Sequence, residues 1–161
     1  MPDARRAKRL TEVLSALGVM ASLLYVAYEI RLNTSAIQAT SAQAAYEMHQ
    51  ENLHLYLANP QVADLRTRAR LDPASLSPSD SVSWTMILNL EVNIYEMVHT
   101  AAESGAMTHE MAEGWLDGLE EWICRPGVWE WWAEARSGWV QPFVNRVDRT
   151  AEEAGCASVD S

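Results

Sequence analysis

The sequence predicts an all-α protein, with a single N-terminal transmembrane helix followed by a small bundle of five or six helices. Three observations carry that reading. Residues Val13 to Tyr28 form an uncharged, mostly apolar run directly behind Arg5, Arg6, Lys8 and Arg9, and the pattern does not recur. Beyond the run, helix start and stop residues punctuate the chain at helical lengths. No β-type alternation or hairpin dipeptide occurs anywhere.

The sixteen residues from Val13 to Tyr28 rise about 1.5 Å each, so they cover roughly 24 Å against a hydrocarbon core of about 30 Å. Extending the span to residues 10–32 narrows the gap if Leu10 and Thr11 enter the core, Arg9 and Arg31 snorkel outward and the bilayer thins locally. Tyr25 and Tyr28 suit the interface, and Glu12 and Glu29 mark the polar limits. A cleaved signal peptide and a buried core helix are the rival readings. The first needs small residues after the run, where Tyr28, Glu29, Ile30, Arg31 and Leu32 stand instead.

Four basic residues precede the span and Arg31 alone follows closely, which assigns residues 1–9 to the cytoplasm. In a bacterial inner membrane the helical domain is then expected on the periplasmic or extracellular side. Thr11, Ser15, Gly18, Ser22, Tyr25 and Glu29 share one helix face. Small residues there let two spans approach closely, so Ser15, Gly18 and Ser22 are the expected seam of a homodimer, although such residues are common in any span.

Residues 33–154 are expected to form one helical domain and 155–161 a fraying tail. A helix over 33–58 opens at Asn33, Thr34 and Ser35, with Ser35 and Gln38 at capping-box spacing. Ile37, Ala44, Met48 and Leu55 form its apolar stripe. Whether the anchor runs straight into it is open. Asn59 and Pro60 end or bend it. A short helix covers about 61–71, and its Arg66, Arg68 and Arg70 suit a C-terminal turn.

Ser77, Pro78 and Asp80 then start a helix that reaches Ser104, with Gly105 closing it. Ile87, Leu90, Ile94, Met97, Val98 and Ala101 occupy one arc, extended by Leu88, Val92 and Tyr95, which makes this helix central. Thr108 caps a helix to Cys124, Arg125-Pro126-Gly127 breaks the chain, a short helix runs to Arg136, and Gln141-Pro142 opens the last, to about Ala154.

Residues 1–12 hold four basic and two acidic side chains, leaving eight basic against twenty acidic beyond them, a formal −12. That acidity excludes nucleic acid as a partner, since phosphate binding needs clustered cations. Cys124 and Cys156 fit no zinc spacing. They could pair in an exported domain, and the plainer expectation is free thiols. Six of the seven tryptophans lie between Trp115 and Trp139. The seven-residue repeats Trp115, Trp122, Trp129 and Trp132, Trp139 are expected to be core and rim, with an aromatic ligand pocket or a lipid-facing ring as the sharper alternative.

Two Glu-x-x-His pairs, Glu51 with His54 and Glu96 with His99, have the spacing that di-iron bundles use. Glu96 falls among Asn89, Asn93, Thr100 and Glu103, and Glu51 beside Glu47, so both pairs are expected on solvated faces. No catalytic, cofactor or metal residue is assigned. His109-Glu110 resembles the start of a zincin motif, but Glu113 replaces the second histidine. No Gly-x-Ser-x-Gly elbow or phosphate loop is present.

The stretch Leu23-Leu24-Tyr25-Val26-Ala27-Tyr28-Glu29-Ile30-Arg31-Leu32-Asn33-Thr34 resembles the anchor of a family of short bacterial proteins of unknown function. Asn93, Tyr95, Glu96 and the tryptophan-rich segment 125–136 also look similar. The resemblance implies an anchor plus a helical domain and carries no reaction. The expected function is a protein-interaction or structural module without catalysis, on a single-pass anchor, with a protein partner. The alternatives are a metal protein or enzyme using Glu51, His54, Glu96 and His99, and a small-ligand binder with a tryptophan-lined pocket.

Overall fold

A computed structural model describes residues 2–158, and their only regular secondary structure is helical, with no strand among them. The side chains of Arg5, Arg6, Lys8 and Arg9, on which the orientation reading rests, lie outside the described residues, as do 159–161 of the expected tail. The helices are α1 (Pro2–Ala58), α2 (Pro60–Leu71), α3 (Pro78–Glu103), α4 (His109–Leu116), α5 (Leu119–Ile123), α6 (Val128–Ala135) and α7 (Gln141–Ala154). Single 3₁₀ turns lie at Pro73–Ser75, Arg136–Gly138 and Cys156–Ser158.

The helix of 33–58 has no start of its own, because α1 runs unbroken through Asn33, Thr34 and Ser35. A capping residue acts only where its backbone leaves helical geometry. No glycine or proline stands between Gly18 and Pro60 to force that departure. The chain nevertheless divides into two compact units, residues 1–37 and 38–161.

In the first unit every described side chain from Leu10 to Ile37 is exposed, leucines, valines and tyrosines included. A helix apolar on all sides needs a surrounding that is apolar on all sides. By length and composition it is sufficient to cross a membrane.

The second unit is a bundle organised on α3. One core cluster joins Leu65 and Ala69 of α2, Trp84, Ile87, Leu88 and Val92 of α3, and Leu119, Trp122 and Ile123 of α5. Val128 and Trp132 of α6 and Phe143, Val144 and Val147 of α7 complete it. A second cluster sets Ile94, Val98 and Ala102 of α3 against Ala45, Met107, Ala112 and Leu116. The central position of α3 is as expected, but its buried stripe is rotated. Leu90 is exposed and Met97 and Ala101 are half-buried, while Trp84 and His99 are buried.

The contact stripe of α1 also differs, with Ala42, Ala45 and Asn52 buried and Ile37 and Ala44 exposed. Small side chains let helices come close, and hydrophobicity alone does not reveal which alanine is the one in contact.

Local punctuation behaves as the residue types dictate. Ser77 Oγ accepts from Asp80 N at 3.1 Å and Pro78 occupies the first turn of α3. Thr108 Oγ1 accepts from Met111 N at 3.3 Å to start α4. Gly105, Gly127 and Gly155 take positive φ where helices end or turn. The helix expected from Thr108 to Cys124 is two helices, with Asp117 and Gly118 between α4 and α5.

Candidate functional site

The side chain that organises the second unit is Glu91. It lies on α3 between Leu88 and Val92, inside the apolar stripe, with only 11% of its side chain exposed. A carboxylate in such a place is tolerated only if donors saturate it. Arg66 of α2 gives two, Nε at 2.9 Å and Nη2 at 2.7 Å, both to Oε1. Trp122 Nε1 donates to Oε2 at 2.9 Å, and Tyr56 Oη to Oε1 at 3.4 Å. Arg125 Nη1 forms an ion pair with Oε2 at 3.6 Å.

Glu91 forms part of the lining of a cleft of about 340 Å³, to which α1 contributes His49, Asn52, Leu53 and Tyr56. Arg66, Ile94 and Tyr95 line it further, and Gly114, Trp115, Gly118, Trp122 and Arg125 complete the wall. Asn52 is oriented by donating Nδ2 to the Leu90 carbonyl at 3.2 Å. Trp115 is held edge-on by Tyr46 and His49, at 5.0 and 5.5 Å between ring centres. The Arg66 guanidinium also stacks over the Tyr56 ring at 4.6 Å.

Burial, and then the charge of Glu91, push the Tyr56 hydroxyl up to about 12. Burial likewise raises Tyr95. Both tyrosines are therefore protonated donors at neutral pH. Burial, followed by the nearby guanidiniums of Arg125 and Arg66, disfavours the charge of Arg70, whose buried Nε has no hydrogen-bond partner.

The Glu-x-x-His residues are not brought together. Glu51 and His54 are exposed on α1. Glu96 is half-buried and accepts from Val140 N at 2.9 Å, which places it at the start of α7. His99 was expected on a solvated face and is instead buried against Phe143, 5.7 Å between ring centres, with no hydrogen-bond partner for Nε2 among the described residues. Burial lowers its pKa from the ordinary histidine value. Among the described residues no three His, Cys, Asp or Glu side chains are grouped to hold a metal ion.

The two cysteines are joined. Cys124, at the end of α5, and Cys156, just after α7, form a disulfide, so the plainer expectation of free thiols does not hold. Helices α5 and α7 pack together, and this brings two distant thiols within bonding reach. The bond secures the residue next to Arg125.

The tryptophans divide between core and rim, as expected, with Trp84, Trp122 and Trp132 buried and Trp115, Trp129, Trp131 and Trp139 half-buried. Trp122 and Trp132 are fully buried, and the rings of Trp122, Trp131, Trp132 and Trp139 touch in series and end on Phe143. Trp132 Nε1 donates to Asp148 at 2.8 Å and Trp139 Nε1 to Asn93 at 3.3 Å, whereas the buried Trp84 Nε1 has no hydrogen-bond partner among the described residues. Trp115 and Trp122 also line the cleft. Arg68 of the arginine group pairs with Asp64 and Asp80 near the end of α2.

Sequence reasoning missed Glu91. The available signal was a lone carboxylate three and four residues from apolar neighbours on both sides of a central helix.

No protein family matches this chain, and no curated protein or solved structure matches it either.

Proposed function

We propose that this chain is a single-pass membrane protein whose helical domain binds a partner without catalysing a reaction. One observation carries the reading: an all-round apolar segment, with every described side chain from Leu10 to Ile37 exposed, is joined to a domain with its own core. Each large aliphatic side chain moved from water to an apolar phase gains about 1.5–3 kcal/mol. A dozen of them outweigh the modest length deficit of the span. The likeness of residues 23–34 to the anchors of short bacterial proteins supports the same reading and an inner-membrane location.

The basic residues before the span favour a cytoplasmic N-terminus and a periplasmic domain. The Cys124–Cys156 bond agrees with an oxidising compartment. Two copies would approach most closely along Ser15, Gly18 and Ser22, where Gly18 has open space beside it.

Fractionation after cell breakage tests the anchor. Full-length chain is expected in the membrane pellet, resistant to alkaline carbonate and released by detergent. Recovery of intact chain in the supernatant overturns the reading. A phosphatase fused after Ser161 is expected to be active only on the periplasmic side. Gly18→Leu is expected to reduce crosslinked dimer in membranes, and unchanged crosslinking removes the dimer.

A further inference from the structure

The donors and acceptors of the cleft do not balance. Glu91 brings the one carboxylate of the lining, and two arginines, an indole and a phenol already occupy it. Oε1 accepts three hydrogen bonds and Oε2 one, with the Arg125 guanidinium beside Oε2 at 3.6 Å, so of about four lone-pair sites little acceptor capacity is left for a ligand. Donors are in surplus. Arg66 spends Nε and Nη2 on Glu91, and its Nη1 has no hydrogen bond among the described residues. Arg125 reaches Glu91 only at ion-pair distance and holds exposed Glu121 at 3.4 Å. The Tyr95 hydroxyl, which lines the same space, has no partner among the described residues.

The remaining surface is aromatic. Trp115 presents its ring to the cleft and is fixed by its edge-on contacts, and Trp122 lies fully buried in the wall behind it. Two glycines, Gly114 and Gly118, line the space. Gly114 lies inside α4, where alanine is favoured by about 1 kcal/mol, and a Cβ there would meet nothing within 4 Å. Packing therefore does not require glycine at 114. Its effect is to leave the wall open.

We propose that this cleft binds a small planar acid, an aromatic or conjugated carboxylate, with its acidic group on Arg66, Arg125 and Tyr95 and its ring against Trp115. The volume of about 340 Å³ is at the lower end for ligand sites, which suits a one- or two-ring molecule. The local charge favours an anion even though the chain is acidic, because Arg66 and Arg125 outnumber Glu91 in the lining and Arg70 adds a third guanidinium nearby. A cationic ligand would meet the arginines and find Glu91 occupied. The site does not depend on the membrane assignment.

The test uses full-length chain, in lipid nanodiscs or in buffer according to how it partitions, with 2-naphthoate as probe in equilibrium dialysis. The neutral isostere naphthalene-2-carboxamide is the comparison. One naphthoate is expected to bind saturably per chain, with the carboxamide about tenfold weaker, the difference that a charge-assisted hydrogen bond makes.

Gly114→Leu places a side chain in the cleft on a helix that accepts it, and it is expected to abolish binding with an unchanged or raised thermal midpoint. Tyr95→Phe keeps the ring and is expected to weaken naphthoate several-fold while leaving the carboxamide unchanged. The proposal is overturned if naphthoate does not saturate or if the two probes bind equally. It is also overturned if folded Gly114→Leu binds as the parent does. Should Gly114→Leu lower the midpoint, Tyr95→Phe decides, and undiminished naphthoate binding overturns the site.

Discussion

The indole N–H of Trp122 donates to Glu91 Oε2 at 2.9 Å, so a fully buried ring on α5 and a nearly buried carboxylate on α3 satisfy each other. The same carboxylate holds Arg66 of α2 and Arg125 beyond α5. Three elements converge on one side chain. Glu91→Ala is expected to cost about 3–5 kcal/mol, because it leaves an indole N–H and two guanidiniums without their acceptor. Glu91→Gln keeps an acceptor and loses less. Urea unfolding of both variants checks the order.

His99 gives the bundle a pH dependence. Its side chain is 8% exposed, and burial lowers its pKa below the ordinary value of about 6.5. Glu103 on its own helix and Glu113 from α4 pull the pKa up, and Arg146 and Arg149 from α7 push it down. The unfolded chain binds the proton more readily, so the stability from a neutral buried His99 is full above about pH 6.5. It is lost as pH falls from there toward the folded pKa.

One proton limits that slope to about 1.4 kcal/mol per pH unit. His99→Leu is expected to flatten the curve between pH 7.5 and 5. Glu113 acts in a separate, more acidic window. Its hydrogen bonds from Arg146 lower its pKa, so its contribution persists until pH falls below the ordinary carboxylate range. An unchanged slope in His99→Leu would assign the acid sensitivity elsewhere.

The Cys124–Cys156 bond closes a loop of 32 residues in sequence separation. A loop of that size is worth about 2–4 kcal/mol through the unfolded chain. The Cys124→Ser, Cys156→Ser double variant is expected to melt some 5–10 °C lower. Reductant should lower the parent to the same midpoint and leave the variant unaffected, as scanning calorimetry with and without a dithiol would show.

Gly127 is constrained twice. It sits at φ +74°, and a Cβ there would come within 2.7 Å of Pro73 Cγ and 2.9 Å of Pro73 Cβ. Gly105 has the same φ with open space around it. Both alanine variants incur left-handed strain of about 1–2 kcal/mol. Gly127→Ala is expected to lose further stability by displacing the Pro73–Ser75 turn. Equal losses in chemical denaturation would mean that the contact with Pro73 is unimportant.

The helices that could be read from the chain are those whose ends are set by nearby residues. Ser77 with Pro78, Thr108 and Gly105 act on backbone groups one or two turns away, and each does so where expected. The long apolar N-terminal helix was legible for a related reason, since an apolar run is a property of consecutive residues. The missing boundary at Asn33 shows the limit of such signals, because a cap residue is also a permissible helix residue.

The cleft was not legible. Glu91 reads as one more acidic residue on a helix until Arg66, Trp122 and Arg125 are known to reach it, and they come from positions 25 to 34 residues away. His99 and the two thiols follow the same logic. A hydrophobic pattern determines that a helix buries a face, but the angle at which neighbours cross it decides which polar side chains that face includes. Composition and periodicity therefore suffice for an apolar segment followed by a helical bundle. Glu91's partners, the burial of His99 and the Cys124–Cys156 bond depend on docking between elements distant in sequence, and that docking is a cooperative result of the whole core.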